Sequence, residues 1–300
     1  MGKSLIKIKK SIQKRLSIVI NGPYREETNK VIDFFLRNFS NSDIIFSTNN
    51  LKKTTKNYLK KKIRVFSNNN PPPPLNDFGV LNSNIIRQSY SALTGIKAAR
   101  NNYVIRIRSD LIPNQNFLKN FNKNFEKFNR SSVVNWTWFD QKIVSKKIFC
   151  FPKIISPRKF GYGDMFHFST KETLINFFYP TSSNKNIGLR DLGALPNPRA
   201  QNRELYINTE ELVVSKYFQS IYNLETKNNI WLDDVIFSKN LSMFSKKVFM
   251  FFDENSFILP KRINKHLNSF KGKLLKKLTK VDLIDKIYTY VYNNFVNKIN

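Results

Sequence analysis

Cysteine occurs once, at Cys150, and histidine only at His167 and His266. An intramolecular disulfide is therefore excluded, and so is a cluster of Cys and His ligands around a metal. That usage fits a reducing cytoplasm. Long apolar runs are missing as well: none approaches the roughly 18–20 residues of a membrane span. The early run "LSIVI" is too short for the core of a signal peptide. Acidic residues are scarce, 21 against 51 Lys and Arg, which leaves a formal net charge of +30 and a pI of about 10.1. Such an imbalance points to nucleic acid, an anionic membrane or a polyanionic substrate. Codon bias is a second source of the same charge, because Lys, Asn, Ile, Phe and Tyr are all abundant, as AT-rich codons would give.

What is present is enough for a core. The 300 residues suit one large α/β domain or two small ones, and 41% are hydrophobic, which argues against wholesale disorder. "LSIVI" reads as a short buried strand, turned by "NGPYREET" into a helix with apolar residues at Val31, Ile32, Phe35, Leu36 and Phe39. "SDIIFST" and "KIRVFSN" read as two further strands with a lysine-rich, solvated stretch between them. "NNNPPPPLNDFG" is a stiff loop, since proline lacks the amide donor and fixes φ. A helix over 83–99 and the strand "YVIRIRSD" follow. Strand, helix, strand, strand, helix, strand predicts an α/β fold with a mainly parallel sheet, whose ligands bind beyond the carboxyl ends of the strands.

Further on, "SSVVNWTWF" and "KKIFCF" read as strands, and "KFGYGDMFHFS" as a glycine-hinged segment leading to a helix over 170–178. A polar loop over 180–202 precedes the expected helix "RELYINTEELVVSKYFQS". The division expected is a basic N-terminal segment 1–15, a main domain 16–260 and a basic helical C-terminal extension 261–300.

The strand "YVIRIRSD" poses the chemical question. Period-2 alternation puts Arg106 and Arg108 on one face, opposite Ile105 and Ile107. A phosphate-binding cleft would employ both arginines, and so would a surface with ordinary ion pairs. Asp110 is either a turn cap or a carboxylate facing a divalent cation on a diphosphate, since such ions often take only one or two protein carboxylates. Asn84 and Arg87 form an i, i+3 pair on a helix face. Asp164 follows Gly161 and Gly163, where a ligand can approach closely. Glu204 stands near the start of the expected helix.

Taken in order, "SIVINGP", "ETNKVIDFFLRNFSNSDIIFST", "NIIRQSYSALTGIKAARNNYVIRIRSDL", "GDMFHFSTKETL" and "RELYI" resemble the WavE lipopolysaccharide synthesis family of bacterial glycosyltransferases, over roughly residues 16–215 and most densely between Asn84 and Leu111. The resemblance implies a GT-A-like fold and sugar transfer from a nucleotide-sugar donor to a glycan or lipid-linked glycan acceptor of the cell envelope. By the same resemblance, Arg108-Ser109-Asp110 stands where such transferases carry an Asp-x-Asp metal motif, with Arg in place of the first Asp. Asp110 is then the residue for a divalent cation, Mn²⁺ or Mg²⁺. Asn21, Gly22 and Pro23 match the first nucleotide-facing loop, and Asn84 and Arg87 the helix motif. Asp164 matches the aspartate of a Ser-Asp-Trp segment, here flanked by Gly163 and Met165. Glu204 matches the glutamate of a Pro-Glu-Gln segment, here flanked by Arg203 and Leu205. The implied roles are charge stabilisation of the leaving diphosphate by Arg108, Arg87 and a metal at Asp110, with Glu204 as base and Asp164 on the sugar, or the reverse.

Two other classes fit the same sequence. Interleaved lysines and aromatics suit a nucleic-acid-binding module, although no RNA-recognition or zinc signature accompanies them and the lysines are spread along the chain. A degenerate transferase fold acting only as a partner is the other. The place of work implied is the cytoplasmic face of a membrane, with two devices for an anionic surface: Lys3 to Arg15, and Phe270 to Tyr292, basic with an apolar stripe.

Overall fold

The computed structural model describes residues 8–69, 85–130, 133–138, 141–151, 163–183, 195–196, 205–206 and 247–260, together with Val213, Tyr217, Ser220 and Lys265. Its strands are β1 (Leu16–Asn21), β2 (Asp43–Asn49), β3 (Arg64–Asn68), β4 (Tyr103–Arg108), β5 (Ile112–Pro113), β6 (Val133–Trp138), β7 (Gln141–Lys146), β8 (Ile148–Phe151), β9 (Gly163–Thr170), β10 (Leu195–Pro196), β11 (Leu205–Tyr206), β12 (Phe249–Phe251) and β13 (Phe257–Ile258). Its helices are α1 (Lys10–Gln13), α2 (Glu26–Asn38), α3 (Lys53–Lys60), α4 (Ile85–Ala98), α5 (Gln115–Arg130) and α6 (Lys171–Ser183).

Seven strands form one sheet in the order β12–β8–β9–β4–β1–β2–β3. β3, β2, β1 and β4 are parallel, β9 is antiparallel to both β4 and β8, and β12 is parallel to β8. This is the mainly parallel sheet expected from the sequence. Alternation along each strand supplies both faces. Ile18, Ile20, Ile105, Ile107, Phe166 and Phe168 enter a cluster with Val31 and Phe35 of α2 and with Phe117, Phe121, Phe125 and Phe128 of α5. Val19, Ile45 and Val104 point the other way, into Ala92, Leu93 and Ile96 of α4 and Leu174, Phe177 and Phe178 of α6. The result is three layers, with helices on both faces of the sheet. All six residues of β1 are buried, as a strand covered on two sides requires. Each large apolar side chain sealed this way contributes about 1.5–3 kcal/mol.

Several expectations are corrected. The lysine-rich stretch between β2 and β3 is the helix α3, anchored by buried Leu59. Parallel neighbours need a crossover, and α3 supplies it; one buried apolar side chain is too faint a pattern to declare a helix. From Gly163 on, the glycine-hinged segment before α6 is strand β9, antiparallel to its neighbours β4 and β8; its first residues, 159–162, lie outside the described residues. Leu205 and Tyr206, expected inside a helix, pair with β10. Further along that stretch Val213, Tyr217 and Ser220 are helical, with Val213 and Tyr217 buried. Helix α5, unassigned from the sequence, carries five buried apolar residues at helical spacing. In the basic N-terminal segment, Ile8 and Ile12 belong to the core cluster, and Gln13 is tied to Ile8 and Asn38 carbonyls. The expected C-terminal extension falls outside the described residues apart from Lys265.

Candidate active site

From β1 the chain moves to β2 and β3 on one side, then crosses to β4 on the other. That makes the β1–β4 boundary a topological switch point, where open α/β sheets form a ligand crevice beyond the strand ends. In register, Asn21 lies opposite Arg108. The two loops that leave these strands are bound to each other. Ser109 N donates to Asn21 O at 2.9 Å, and Ser109 Oγ donates to Pro23 O at 2.8 Å. Between them Gly22 adopts φ 129°, and a Cβ there would lie 2.8 Å from Ser109 Oγ. Only glycine fits both the conformation and the space. The sequence-expected residues Asn21, Gly22, Pro23 and Ser109 thus form one structure.

Arg108 and Asp110 stand beside it. Arg108 Nε donates to Asp110 Oδ1 at 3.0 Å and Nη2 to Oδ2 at 2.8 Å, a bidentate pair. Nη1 lies 3.4 Å from each oxygen of Asp164. Asp164 reaches this spot because β9 is antiparallel, so its first residues sit at the carboxyl end of β4. Gln88, from the start of α4, donates to Asp164 Oδ2 at 2.8 Å. Arg25, at the N-cap of α2, approaches Asp110 Oδ2 at 3.5 Å. Its side chain is 40% exposed, against 4% for Asp110, so it covers the open side of the carboxylate.

Arg106 shares a face with Arg108, as alternation predicts, but it serves the core. It is 1% exposed, donates from Nη1 to the Asp164 carbonyl, meets His167 Nδ1 at 3.3 Å and lies over the Phe178 ring. An arginine can only donate, so Nδ1 accepts and His167 carries its proton on Nε2. Burial, then the Arg106 charge, pushes the His167 pKa well below its ordinary value. Burial likewise lowers Arg106, to about 10, against the opposing pull of Asp164. Burial disfavours the charged form of Arg108, but Asp164 and Asp110 outweigh it and hold the guanidinium above its usual value. Burial would raise Asp164; Arg108, Arg106 and the Gln88 bond outweigh it and keep the carboxyl below the ordinary range. Three guanidiniums against two carboxylates leave the cluster one positive charge in excess, which suits an anionic ligand.

Arg87 lies on the first turn of α4, where its carbonyl accepts from Asn49 Nδ2 at 3.2 Å. Gln88, the next residue, is the one that reaches Asp164. Asn84 and Glu204 lie outside the described residues. Sequence reasoning missed Arg25 and Gln88, although both sit in quoted stretches, "NGPYREET" and "NIIRQ"; the signal available was their position beside the Gly-Pro turn and the Arg87 motif.

The donor set does not fit a divalent cation as it stands. Both Asp110 oxygens accept from Arg108, so a dication could reach them only by displacing that guanidinium. Two recesses, of about 730 and 800 Å³, lie elsewhere, the first beside Asp33 and Arg37, the second beside Lys60 to Lys62. Neither includes a member of the cluster, so side-chain chemistry rather than depth marks the cluster as the candidate site.

The profile of the WavE lipopolysaccharide synthesis family matches residues 16–229. No curated protein gives a significant match. Among solved structures, HddC from Yersinia pseudotuberculosis aligns over 54% of this chain and 78% of its own, at 10% identity and a TM-score of 0.31. A glycosyltransferase involved in the glycosylation of the major capsid of PBCV-1 aligns over 89% of this chain and 99% of its own, at 10% identity and a TM-score of 0.33. Overlaps at such scores decide nothing about this chain.

Proposed function

The chain belongs to the WavE lipopolysaccharide synthesis family, and from that premise we propose that it is a glycosyltransferase that moves a sugar from a nucleotide-sugar donor to a surface-glycan acceptor, such as a lipopolysaccharide core or capsule. The observation that carries the reading is the joined pair of loops at the β1–β4 switch point, edged by Arg25 and Arg108. The diphosphate is the ligand that this arrangement suits: backbone turned by Gly22 for close approach, and an excess of guanidinium charge. The nucleotide lies along Asn21 to Pro23 and Ser109, with Arg87 on the first turn of α4 beside it; Asn84, from the same sequence motif, joins it in this reading.

In the reaction the bond from the anomeric carbon to the diphosphate breaks, and its electron pair leaves with the phosphate. The acceptor oxygen forms the new bond, and its proton passes to a carboxylate. Positive charge aimed at the leaving group lowers this barrier because the charge develops there. Asp164 is a poor base while Arg108, Arg106 and Gln88 all favour its ionised form. Its position suits hydrogen bonding to the sugar, which leaves Glu204 as the base.

Among the described residues no helix is long and apolar enough to cross a membrane. The reading places the enzyme at the cytoplasmic membrane face, held by charge. What supports this is the recess of about 800 Å³ lined by Lys14, Lys60, Lys61, Lys62, Arg64 and Arg100, with Asp43 as the only acid among its described lining residues. Asp43 is already bound to Arg64 at 2.9 Å.

Titration calorimetry with a panel of nucleoside diphosphates tests the function. Binding of at least one, lost on Gly22→Val, is expected. If none binds, the transferase reading fails.

A further inference from the structure

We propose, on the basis of the transferase reading, that the guanidinium of Arg108 takes the place of a divalent cation, so that donor binding and diphosphate departure proceed without a metal. The inference rests on where Arg108 stands. Its three nitrogens face two carboxylates at once, Asp110 at 3.0 and 2.8 Å and Asp164 at 3.4 Å. That is the position a metal would need if the same two carboxylates held it. The residue that the Asp-x-Asp pattern would make a ligand is here the cation itself.

The surroundings support a fixed cation. Asp110 is 3% exposed and orients the guanidinium through two parallel bonds. Asp164 is held from behind by Arg106, through its carbonyl, and from the side by Gln88. Arg25 adds a second guanidinium at Asp110 Oδ2 on the open side. When a diphosphate enters, Arg108 exchanges the longer contact to Asp164 for phosphate oxygen and keeps Asp110. Planar guanidinium donors match phosphate oxygens in pairs, which gives direction that a point charge lacks. During transfer the electron pair of the breaking carbon–oxygen bond goes to the diphosphate, and Arg108 with Arg25 receives the added charge through hydrogen bonds. No electron or proton leaves Arg108.

The test is calorimetric, on the full chain, with the nucleoside diphosphate that the panel identifies, in EDTA and in Mn²⁺. The expected dissociation constants in the two buffers agree within about twofold, and Mn²⁺ alone gives no heat with the unaltered protein. Arg108→Asn should bind the nucleotide at least about tenfold more weakly in EDTA and recover in Mn²⁺, because Asp110 and Asp164 are then open to the metal. Arg108→Lys, which keeps the charge, should fall between and show no Mn²⁺ recovery. A tenfold or greater loss of binding by the unaltered chain in EDTA would overturn the inference and leave the transferase reading intact. Should Arg108→Asn not fold, the comparison of the unaltered chain and Arg108→Lys still decides. Absence of nucleotide binding in both buffers would instead overturn the transferase reading, and this inference with it.

Discussion

Arg108 grips Asp110, two residues along the chain, through parallel bonds of 3.0 and 2.8 Å, and the same guanidinium leans on Asp164. A strand destined for the core can end on an arginine because its charge is met at once by a carboxylate from the following turn. The pair is nearly dry, with side-chain exposures of 15% and 4%. Removing one partner alone therefore strands a buried charge. Arg108→Ala should lower stability by roughly 3 kcal/mol, and Arg108→Ala with Asp110→Ala should recover part of that loss. Urea unfolding of the three chains measures it; equal midpoints would show that the pair contributes nothing to folding.

Asp110→Asn keeps the shape and removes the charge that aims Arg108. Turnover in a sugar-nucleotide hydrolysis assay should drop by at least about 10²-fold with the fold intact. A stability loss is expected either way, since Arg108 is left without its closest carboxylate; if Asp110 were only a turn cap, the folded variant would keep its activity.

Gly22→Ala places a Cβ 2.8 Å from Ser109 Oγ, at φ 129°. The strain expected is about 1–3 kcal/mol. Ser109→Ala in the same chain removes the contact but not the backbone strain, so it should restore only part of the melting temperature. Full restoration would mean that φ at this turn carries no cost.

His167 is buried and neutral, so its folded pKa lies below the unfolded one. Below about pH 6.5 the unfolded chain takes up a proton that the folded chain refuses, and stability falls as pH drops, by up to about 1.4 kcal/mol per unit. Asp164, also depressed, contributes stability that is lost only at lower pH, as the medium falls through its folded pKa. His167→Gln should lack the first loss. Urea unfolding of both chains from about pH 8 to 5 decides, and parallel curves would rule out the buried neutral imidazole.

The basic recess beside Lys60, Lys61 and Lys62 should draw the chain to anionic vesicles. Each lysine near such a surface contributes about 1 kcal/mol at low salt. The full chain should float with anionic vesicles at low salt and detach at high salt. Reversing the three lysines to glutamate, or deleting residues 270–300, should weaken flotation. A chain that ignores anionic vesicles at low salt is not held at a membrane by charge, whatever its catalytic activity.

Periodicity in the sequence determined which segments became β1, β2, β3 and β4, and alternation alone put Arg106 and Arg108 on one face. These are local properties, set by side-chain spacing along one element. The Gly-Pro turn after β1 and the Arg-Ser-Asp end of β4 were legible for the same reason. What the two arginines do was not. Arg108 meets Asp164 across 56 positions, Gln88 meets Asp164 across 76, and Arg25 meets Asp110 across 85. Those meetings depend on β9 running antiparallel beside β4, on α4 starting above the ends of β1 and β2, and on α2 capping at Arg25. Strand order and direction follow from how both faces of the sheet are covered, and no single segment carries that information. Tertiary structure therefore decided that Arg106 became a buried support and that Arg108 reached Asp164 as well as Asp110, although alternation had placed the two arginines on one face.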